Sequence, residues 1–193
     1  MLLPTYDPDA FRLFVEWLYH GQFTIENSDT GALLPGIHIS IRAWLLGDNI
    51  AAPEFSNYAM RQVYRAFTPT AASNYRVSAP ITPAIISCIC AQAPRRSSLY
   101  QYFFNTTSYY WDDPNGSVLT NGDETKSDWN MVWDEHPNFR NNLFYELKTS
   151  RQRRWEQLGG LDKYTKPVKE RDTPTEPEEC PKKKIKLKNE PDT

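Results

Sequence analysis

The segment DPDAFRLFVEWLYHG, residues 7–21, limits the possible folds more than any other part of the chain. Asp7 is suited to cap a helix, Pro8 fits its first turn, and Gly21 is placed to end it. Between these ends, apolar residues recur at helical spacing: Phe11, Phe14, Val15 and Leu18. The segment therefore predicts an amphipathic helix.

The same kind of pattern recurs along most of the chain. Further helices are predicted over residues 39–50, from Pro53, from Pro83, over residues 97–111 and after Pro137. Their apolar faces are Ile41, Trp44 and Leu45; Met60, Val63, Tyr64 and Phe67; Leu99, Tyr102, Phe103 and Tyr110; and Phe139, Leu143 and Leu147. Trp129 and Trp133 are expected to hold the last helix against the body. With about six helices and little strand signal, we expect a mostly α fold.

The composition changes completely at residue 162. Residues 162–193 contain nine Lys or Arg, eight Asp or Glu and five Pro, with almost nothing apolar. Such a segment buries too little surface to offset its ordering entropy, so we predict a disordered charged tail. Before it we expect a helical module over 1–67, a helical extension over 68–111, a polar loop over 112–128 and a helical segment over 129–161.

The first three predicted helices resemble a known family. DPDAFRLFVEWLYHGQF, followed by IRAWLLGDNIAAPEFSNYAMRQVY, resembles the C-terminal half of the BTB/POZ domain found in many fungal proteins. ITPAIISCICAQAP and LYQYFF are similar to the helical extension of those relatives, so the resemblance runs to about residue 111. The family-signature residues, expected in the core, are Phe11, Trp17, Leu18, Tyr19, Gly21, Leu45, Asp48, Phe55 and Tyr64.

The resemblance implies a non-catalytic protein-interaction module that acts as an adaptor or scaffold. It also implies recruitment to cullin-type ubiquitin ligases or to transcriptional regulators, as occurs in some members of that family. The sequence starts at what would be the last strand of a BTB/POZ domain, so the earlier strands and the helix that supply the usual dimer surface have no counterpart. Either the sequence is a truncated gene model, or the protein is a fragment whose first helices expose apolar faces and whose self-association is in question.

The residue types that carry catalysis or bind metals do not form a motif. His20, His38 and His136 are not at metal-ligand spacing, and Cys88 and Cys90 lack a second pair, so we interpret them as buried thiols. Gly159 and Gly160 follow a helix and are typical of its C-cap rather than of a phosphate-binding loop. We expect no cofactor, no metal and no enzymatic activity.

The tail contains the sequence PKKKIKLK, which favours recognition by a nuclear-import receptor. The candidate residues are Lys182, Lys183, Lys184 and Lys186, and the plain alternative is a solvated charge run. Lys188 matches the short pattern of SUMO acceptors. No export signal or apolar stretch of membrane-spanning length is present, so we expect an intracellular protein of the nucleus, the cytoplasm or both.

Two other function classes remain open from the sequence. A nucleic-acid-associated transcriptional regulator would use Arg151, Arg153, Arg154 and the tail lysines against phosphate, although residues 1–161 have more acidic than basic residues. A helical enzyme of unrecognised type would need a pocket with converging polar groups. The interaction module remains the preferred hypothesis.

Overall fold

The structure, a computed structural model, describes residues 7–25, 37–69, 79–113, 118–119 and 129–167. Within these residues it is mostly helical, which confirms the predicted class, and its β structure is a single bridge between Ile81 and Leu119. The helices are α1 (Pro8–His20), α2 (Ile39–Asn49), α3 (Pro53–Phe67), α4 (Pro83–Gln92), α5 (Ser98–Tyr110), α6 (Trp129–Glu135), α7 (Pro137–Glu146), α8 (Arg151–Leu158) and a final 3-10 helix (Leu161–Tyr164).

α1 begins and ends at the residues that the sequence predicts. The Asp7 side chain accepts hydrogen bonds from the backbone N–H groups of Asp9 (3.0 Å) and Ala10 (3.4 Å), and Pro8 occupies the first turn. Gly21 ends the helix with a φ of 69°, a conformation that glycine adopts without a Cβ clash. The sequence therefore sets both the position and the length of α1.

The buried face of α1, however, is not the stripe that its apolar spacing predicts. Ala10 and Leu13 are fully buried, whereas Phe11 and Leu18 are exposed. Apolar residues occupy two neighbouring sides of this helix, so its own sequence does not decide which side packs. The contact with α2 decides it, and leaves the other apolar side at the surface.

α2 is the central helix of the N-terminal half. Its residues 39–47 are all buried, because α1 and α3 both pack against it. The predicted face of α2, Ile41, Trp44 and Leu45, is therefore buried as expected. The stripe of α3 is also buried at Met60, Val63 and Phe67.

α2 and α3 approach closely at Gly47, so we expect a substitution there to destabilise the fold. A Cβ added to Gly47 would lie 2.7 Å from Ser56 Oγ and 2.9 Å from Phe55 Cδ1. In Gly47→Ala this overpacking outweighs the gain in helix propensity, with a net loss of about 1–2 kcal/mol in the free energy of unfolding. Gly160→Ala is the control, since its added Cβ meets no atom within 4 Å. Urea denaturation compares the two variants, and equal stabilities would contradict the prediction.

His38 caps the N-terminus of α2. Its Nδ1 accepts a hydrogen bond from the Ser40 N–H at 3.3 Å, and its ring packs edge-on against Phe67 at 5.4 Å. Burial lowers the pKa of His38, because the imidazolium loses hydration there. Protonation of Nδ1 would also remove the acceptor that caps the helix.

We therefore expect His38 to make the stability of the fold depend on pH. Since its pKa is lower in the folded state, its contribution is complete above the ordinary value of 6.5 and is lost as the pH falls through the folded pKa. His38→Asn keeps a capping acceptor that does not titrate. Between about pH 7 and pH 5 the variant should lose less stability than the wild type, by on the order of 1 kcal/mol. If the free energies of unfolding of wild type and His38→Asn, measured in urea, changed equally with pH, this expectation would be contradicted.

α5 organises the C-terminal half as α2 organises the N-terminal half. α4, α7, α8 and the final 3-10 helix all contact it. The Phe103 ring on α5 lies 5.1 Å from that of Phe67 on α3, and the Tyr102 ring lies 5.2 Å from that of Tyr164. All the described helices except α8 consequently contribute residues to one hydrophobic core.

The segment predicted to carry one long helix after Pro137 carries two helices instead. α7 ends at Glu146, whose carbonyl accepts a hydrogen bond from the Thr149 hydroxyl at 2.8 Å. Ser150 then caps α8 by accepting from a backbone N–H of the next turn at 3.2 Å. Short hydroxyl side chains compete with helical backbone hydrogen bonds in this way, and two of them in succession interrupt the helix.

The fold continues past residue 161, so the predicted tail begins too early. Tyr164 is buried, and its hydroxyl accepts from Asn105 Nδ2 at 3.1 Å and donates to the Leu158 carbonyl. The Asn57 amide pairs with the backbone of Lys166, accepting at 2.7 Å and donating at 2.8 Å. Tyr164 thus anchors residues 162–167 to the fold, although the composition of this charged segment alone assigns it to the tail. Residues 168–193 and most of the predicted polar loop lie outside the described residues.

Candidate interaction surface

The residues that carry the BTB/POZ resemblance divide between the core and the surface. Buried or half-buried members are Trp17, Leu45, Phe55 and Tyr64. Asp48 contributes a polar contact, with its Oδ1 2.8 Å from Lys166 Nζ. The exposed members are Phe11, Leu18 and Tyr19. The core position predicted for these three is wrong, because α1 turns its other apolar side toward α2.

Phe11, Leu18 and Tyr19 lie with Val15 on one side of α1, and we call these four residues the α1 face. The exposed fractions are 48% for Phe11, 58% for Leu18 and 82% for Tyr19, and Val15 between them is half-buried. Residues four and seven positions apart share a side of a helix. The α1 face is therefore a continuous apolar strip.

Charged residues border the α1 face. Arg12 Nη1 lies 3.9 Å from Glu16 Oε2, and Glu16 Oε1 accepts a hydrogen bond from the Thr24 backbone N–H at 2.9 Å. An apolar centre with a polar rim is the usual arrangement of a protein–protein interface.

Buried charges hold α1 in place beneath this face. The Arg42 side chain on α2 is buried and donates from Nε and Nη2 to the Asp7 carboxylate, while Nη2 also lies 3.0 Å from Asp9 Oδ2. Burial alone would lower the pKa of Arg42, but the hydrogen bonds and charges of Asp7 and Asp9 raise it. The guanidinium remains charged and joins the start of α1 to α2.

The aromatic run of α5 mostly forms core, as the sequence predicts. Tyr100, Tyr102 and Phe103 are buried. At the end of the run, the Trp111 ring lies 5.1 Å from that of Trp129 and 5.4 Å from that of Trp133. The two tryptophans of α6 therefore contact the end of α5.

A second group of aromatic side chains lies at the surface of the C-terminal helices. Phe144, Tyr145 and Trp155 are exposed. The Tyr109 ring lies 5.2 Å from that of Trp155, and the Arg151 guanidinium sits 5.2 Å above Tyr109. Among the described residues no contact between aromatic rings links Trp155 to Tyr145, so these side chains form a less continuous surface than the α1 face.

One of the arginines proposed for phosphate contact is not accessible. Arg154 is buried, and its Nη2 donates to Asp112 Oδ2 at 2.7 Å. Desolvation alone would raise the pKa of Asp112, but the hydrogen bond from Arg154 holds it below its ordinary value. Arg151 Nη2 lies 3.8 Å from Asp113 Oδ1, but its side chain is still exposed, so Arg151 and Arg153 both face solvent.

A serine–histidine contact joins α4 to the start of α7. Ser87 Oγ lies 3.1 Å from both His136 Nε2 and Glu135 Oε2. Both contacts are satisfied when Ser87 donates to the carboxylate and His136 donates to Ser87, an arrangement in which the imidazole does not act as a base toward the hydroxyl. Glu135 also approaches Nε2, at 3.9 Å, rather than the Nδ1 that an orienting carboxylate binds in a catalytic triad. We interpret the group as a polar bridge, which no sequence motif revealed.

Cys88 and Cys90 are half-buried against the core, less deeply than predicted. Desolvation raises the pKa of Cys88 to about 11 and that of Cys90 to about 12. Both therefore stay protonated and weakly nucleophilic at neutral pH. The described residues contain no group of three His, Cys, Asp or Glu side chains that could hold a metal ion.

The remaining predicted sites, Lys182, Lys183, Lys184, Lys186 and Lys188, lie outside the described residues. Among the helices that the structure describes, none has the length and apolar character needed to cross a membrane. No protein-family model, curated protein or solved structure matches the chain.

Proposed function

We propose that the chain is a non-enzymatic protein-interaction module of BTB/POZ type, an adaptor or scaffold that binds another protein through the α1 face. The observation that carries the proposal is the exposure of Phe11 and Leu18 on a helix whose other apolar side is already packed. A strip of neighbouring apolar side chains in water favours association with a second apolar surface. The resemblance adds support, because the strip lies on the helix that carries its first motif.

The α1 face is also held rigidly enough to serve as a docking surface. Asp7 and Gly21 cap the two ends of α1, and Arg42 ties its start to α2. On the inner side, the rings of Phe14 and Trp17 lie 5.1 and 5.5 Å from that of Phe55. A surface fixed in this way loses little conformational entropy when a partner binds, which favours affinity.

The direct test places a charge in the α1 face. The full-length tagged chain is used to capture and identify a partner from the native cells, and the purified partner is then titrated by calorimetry. Leu18→Asp should weaken binding by on the order of tenfold or more, because a carboxylate replaces an apolar contact at the centre of the interface. The melting temperatures of Leu18→Asp and of the wild-type chain should be the same, since Leu18 is exposed and its replacement leaves the core intact.

Tyr145→Asp is the matched control, since it introduces the same charge at an exposed aromatic residue on α7. It should bind as the wild type does. Equal affinity for Leu18→Asp and wild type, with folding intact, would remove the α1 face from the proposal. Sedimentation of the chain alone shows whether a second copy is the partner, in which case Leu18→Asp should dissociate it.

We further propose that Lys182, Lys183, Lys184 and Lys186 direct the protein to the nucleus. The support is the run of lysines after Pro181, which suits an import receptor that reads extended basic segments. A full-length chain fused to two fluorescent proteins, so that passive entry is slow, should accumulate in the nucleus. Replacing the four lysines by alanine should abolish the accumulation, whereas Lys188→Ala should not. Unchanged distribution of the four-alanine variant would exclude this signal.

A further inference from the structure

A cleft of about 560 Å³ opens between the turn that precedes α5 and the residues that follow α8. Its volume lies within the range of small-ligand sites. One wall is formed by Pro94 and residues 96–98 and the other by residues 163–167, and Asp48 and Gln101 complete the lining. The cleft is separate from the α1 face, since no residue of α1 lines it.

The wall formed by residues 163–167 is held firmly. Buried Tyr164 bonds to Asn105 and to the Leu158 carbonyl, and the Asn57 amide makes two hydrogen bonds to the backbone of Lys166. These contacts join the wall to α3, α5 and α8. The cleft is therefore formed before any ligand enters, which favours binding.

The charges lining the cleft do not cancel. Asp48 is its carboxylate, and this group is neutralised by Lys166 Nζ at 2.8 Å. Arg96 and Lys163 add two positive charges, although the whole chain has a net charge of −2. Lys163 Nζ donates to the Gln157 carbonyl, which uses one of its three donors. Two cations in excess, on a chain of the opposite sign, mark the cleft as a site for an anion.

We propose that this cleft binds a phosphate group through Arg96 and Lys163. A phosphate dianion matches the two excess positive charges, and its oxygens accept hydrogen bonds from a planar guanidinium fork and an ammonium group together. The wall hydroxyl of Ser98 is also of the type that donates to phosphate oxygens. The phosphate belongs either to a phosphorylated residue of a partner or to a free anion. The proposal does not depend on the α1 face.

Calorimetric titration of the full-length chain tests the assignment, with inorganic phosphate, O-phosphoserine and O-phosphotyrosine as probes. At least one probe should bind saturably, and Arg96→Gln and Lys163→Gln should each weaken it by on the order of tenfold. Arg95→Gln is the matched control, because it removes the same charge from the neighbouring residue, which does not line the cleft. It should change the affinity less than twofold.

The three probes also separate the two sources of phosphate. Tighter binding of either phosphoamino acid than of inorganic phosphate identifies a phosphorylated residue as the ligand, and the reverse order identifies a free anion. The proposal is overturned if no probe saturates at millimolar concentration. Equal weakening by Arg95→Gln and Arg96→Gln also overturns it, because it would reflect the overall charge of the chain and not the cleft.

Discussion

Asp7→Ala lowers the free energy of unfolding by about 3–5 kcal/mol, the usual cost of leaving a buried charge without its partner. The Arg42 side chain is fully shielded from solvent under the start of α1, and both its Nε and its Nη2 donate to Asp7. Its Nη1 has no hydrogen-bond partner among the described residues. In Asp7→Ala only the contact of Nη2 with the more exposed Asp9 remains, and Nε loses its carboxylate acceptor. The lost helix cap adds about 1 kcal/mol to the effect.

Two further variants separate the buried charge from the cap. Asp7→Asn retains a side-chain oxygen for the cap and removes only the charge, so it should be intermediate in stability. Asp7→Ala combined with Arg42→Met removes both charges, and it should be more stable than Asp7→Ala alone, since apolar residues replace buried ion pairs at little cost. Urea unfolding followed by circular dichroism measures the wild type, these three variants and Arg42→Met alone. Losses that simply add in the double variant would contradict a direct interaction.

Tyr164→Ala has an effect of similar size, about 3–5 kcal/mol, because it empties a large buried site. The Tyr164 ring packs edge-on against that of Tyr102, and its hydroxyl satisfies both the Asn105 amide and the Leu158 carbonyl. Removing the side chain leaves a cavity and loses these hydrogen bonds. It also frees the wall that carries Lys163 and Lys166, so phosphate binding should be lost as well.

The matched control is Tyr145→Ala, the same change at a tyrosine that is 71% exposed, which should alter stability by less than about 0.5 kcal/mol. Tyr164→Phe keeps the ring and removes only the hydroxyl, so it should cost about 1–3 kcal/mol. Thermal unfolding compares the three variants. If Tyr164→Ala were as stable as Tyr145→Ala, residues 162–167 would not belong to the fold.

Helix positions were largely predictable because the signals that set them are local. Asp7, Ser97 and Thr82 are short side chains that cap a helix from within its own first turn, and Pro8 and Pro53 fit first turns. The break between α7 and α8 was missed, although its signal is local too. Thr149 and Ser150 are weak helix breakers singly, and only their succession ends α7.

The choice of buried face on α1 was not predictable from α1 itself. Phe11 and Leu18 satisfy the apolar spacing as well as Ala10 and Leu13 do, and the helix has apolar residues on two sides. The residue that fixes α1 on α2 is Arg42, whose contact with Asp7 spans 35 positions of the chain. Such long-range pairing leaves no periodic trace in a single sequence.

The α1 face and the cleft differ in how far they could be predicted from the sequence. Every residue of the α1 face lies in one segment, so the sequence contains the whole strip, although it predicts Phe11, Leu18 and Tyr19 in the core. The cleft joins Asp48, Arg96 and Lys163 from distant segments, and Lys163 falls where composition predicts a disordered tail. The cleft could not be predicted, because it is the buried Tyr164 that holds Lys163 against the body of the fold.

Amide hydrogen exchange of the full-length chain, free and bound to the captured partner, tests the central claim most directly. If the α1 face is the docking surface, exchange slows on binding over residues 11–20, because the partner suppresses local opening of the helix. The amides of α7, which carries exposed Tyr145, should keep their rates. Slowing confined to α7 and α8, with α1 unchanged, would contradict the account and place the interaction on the exposed aromatic residues of the C-terminal helices.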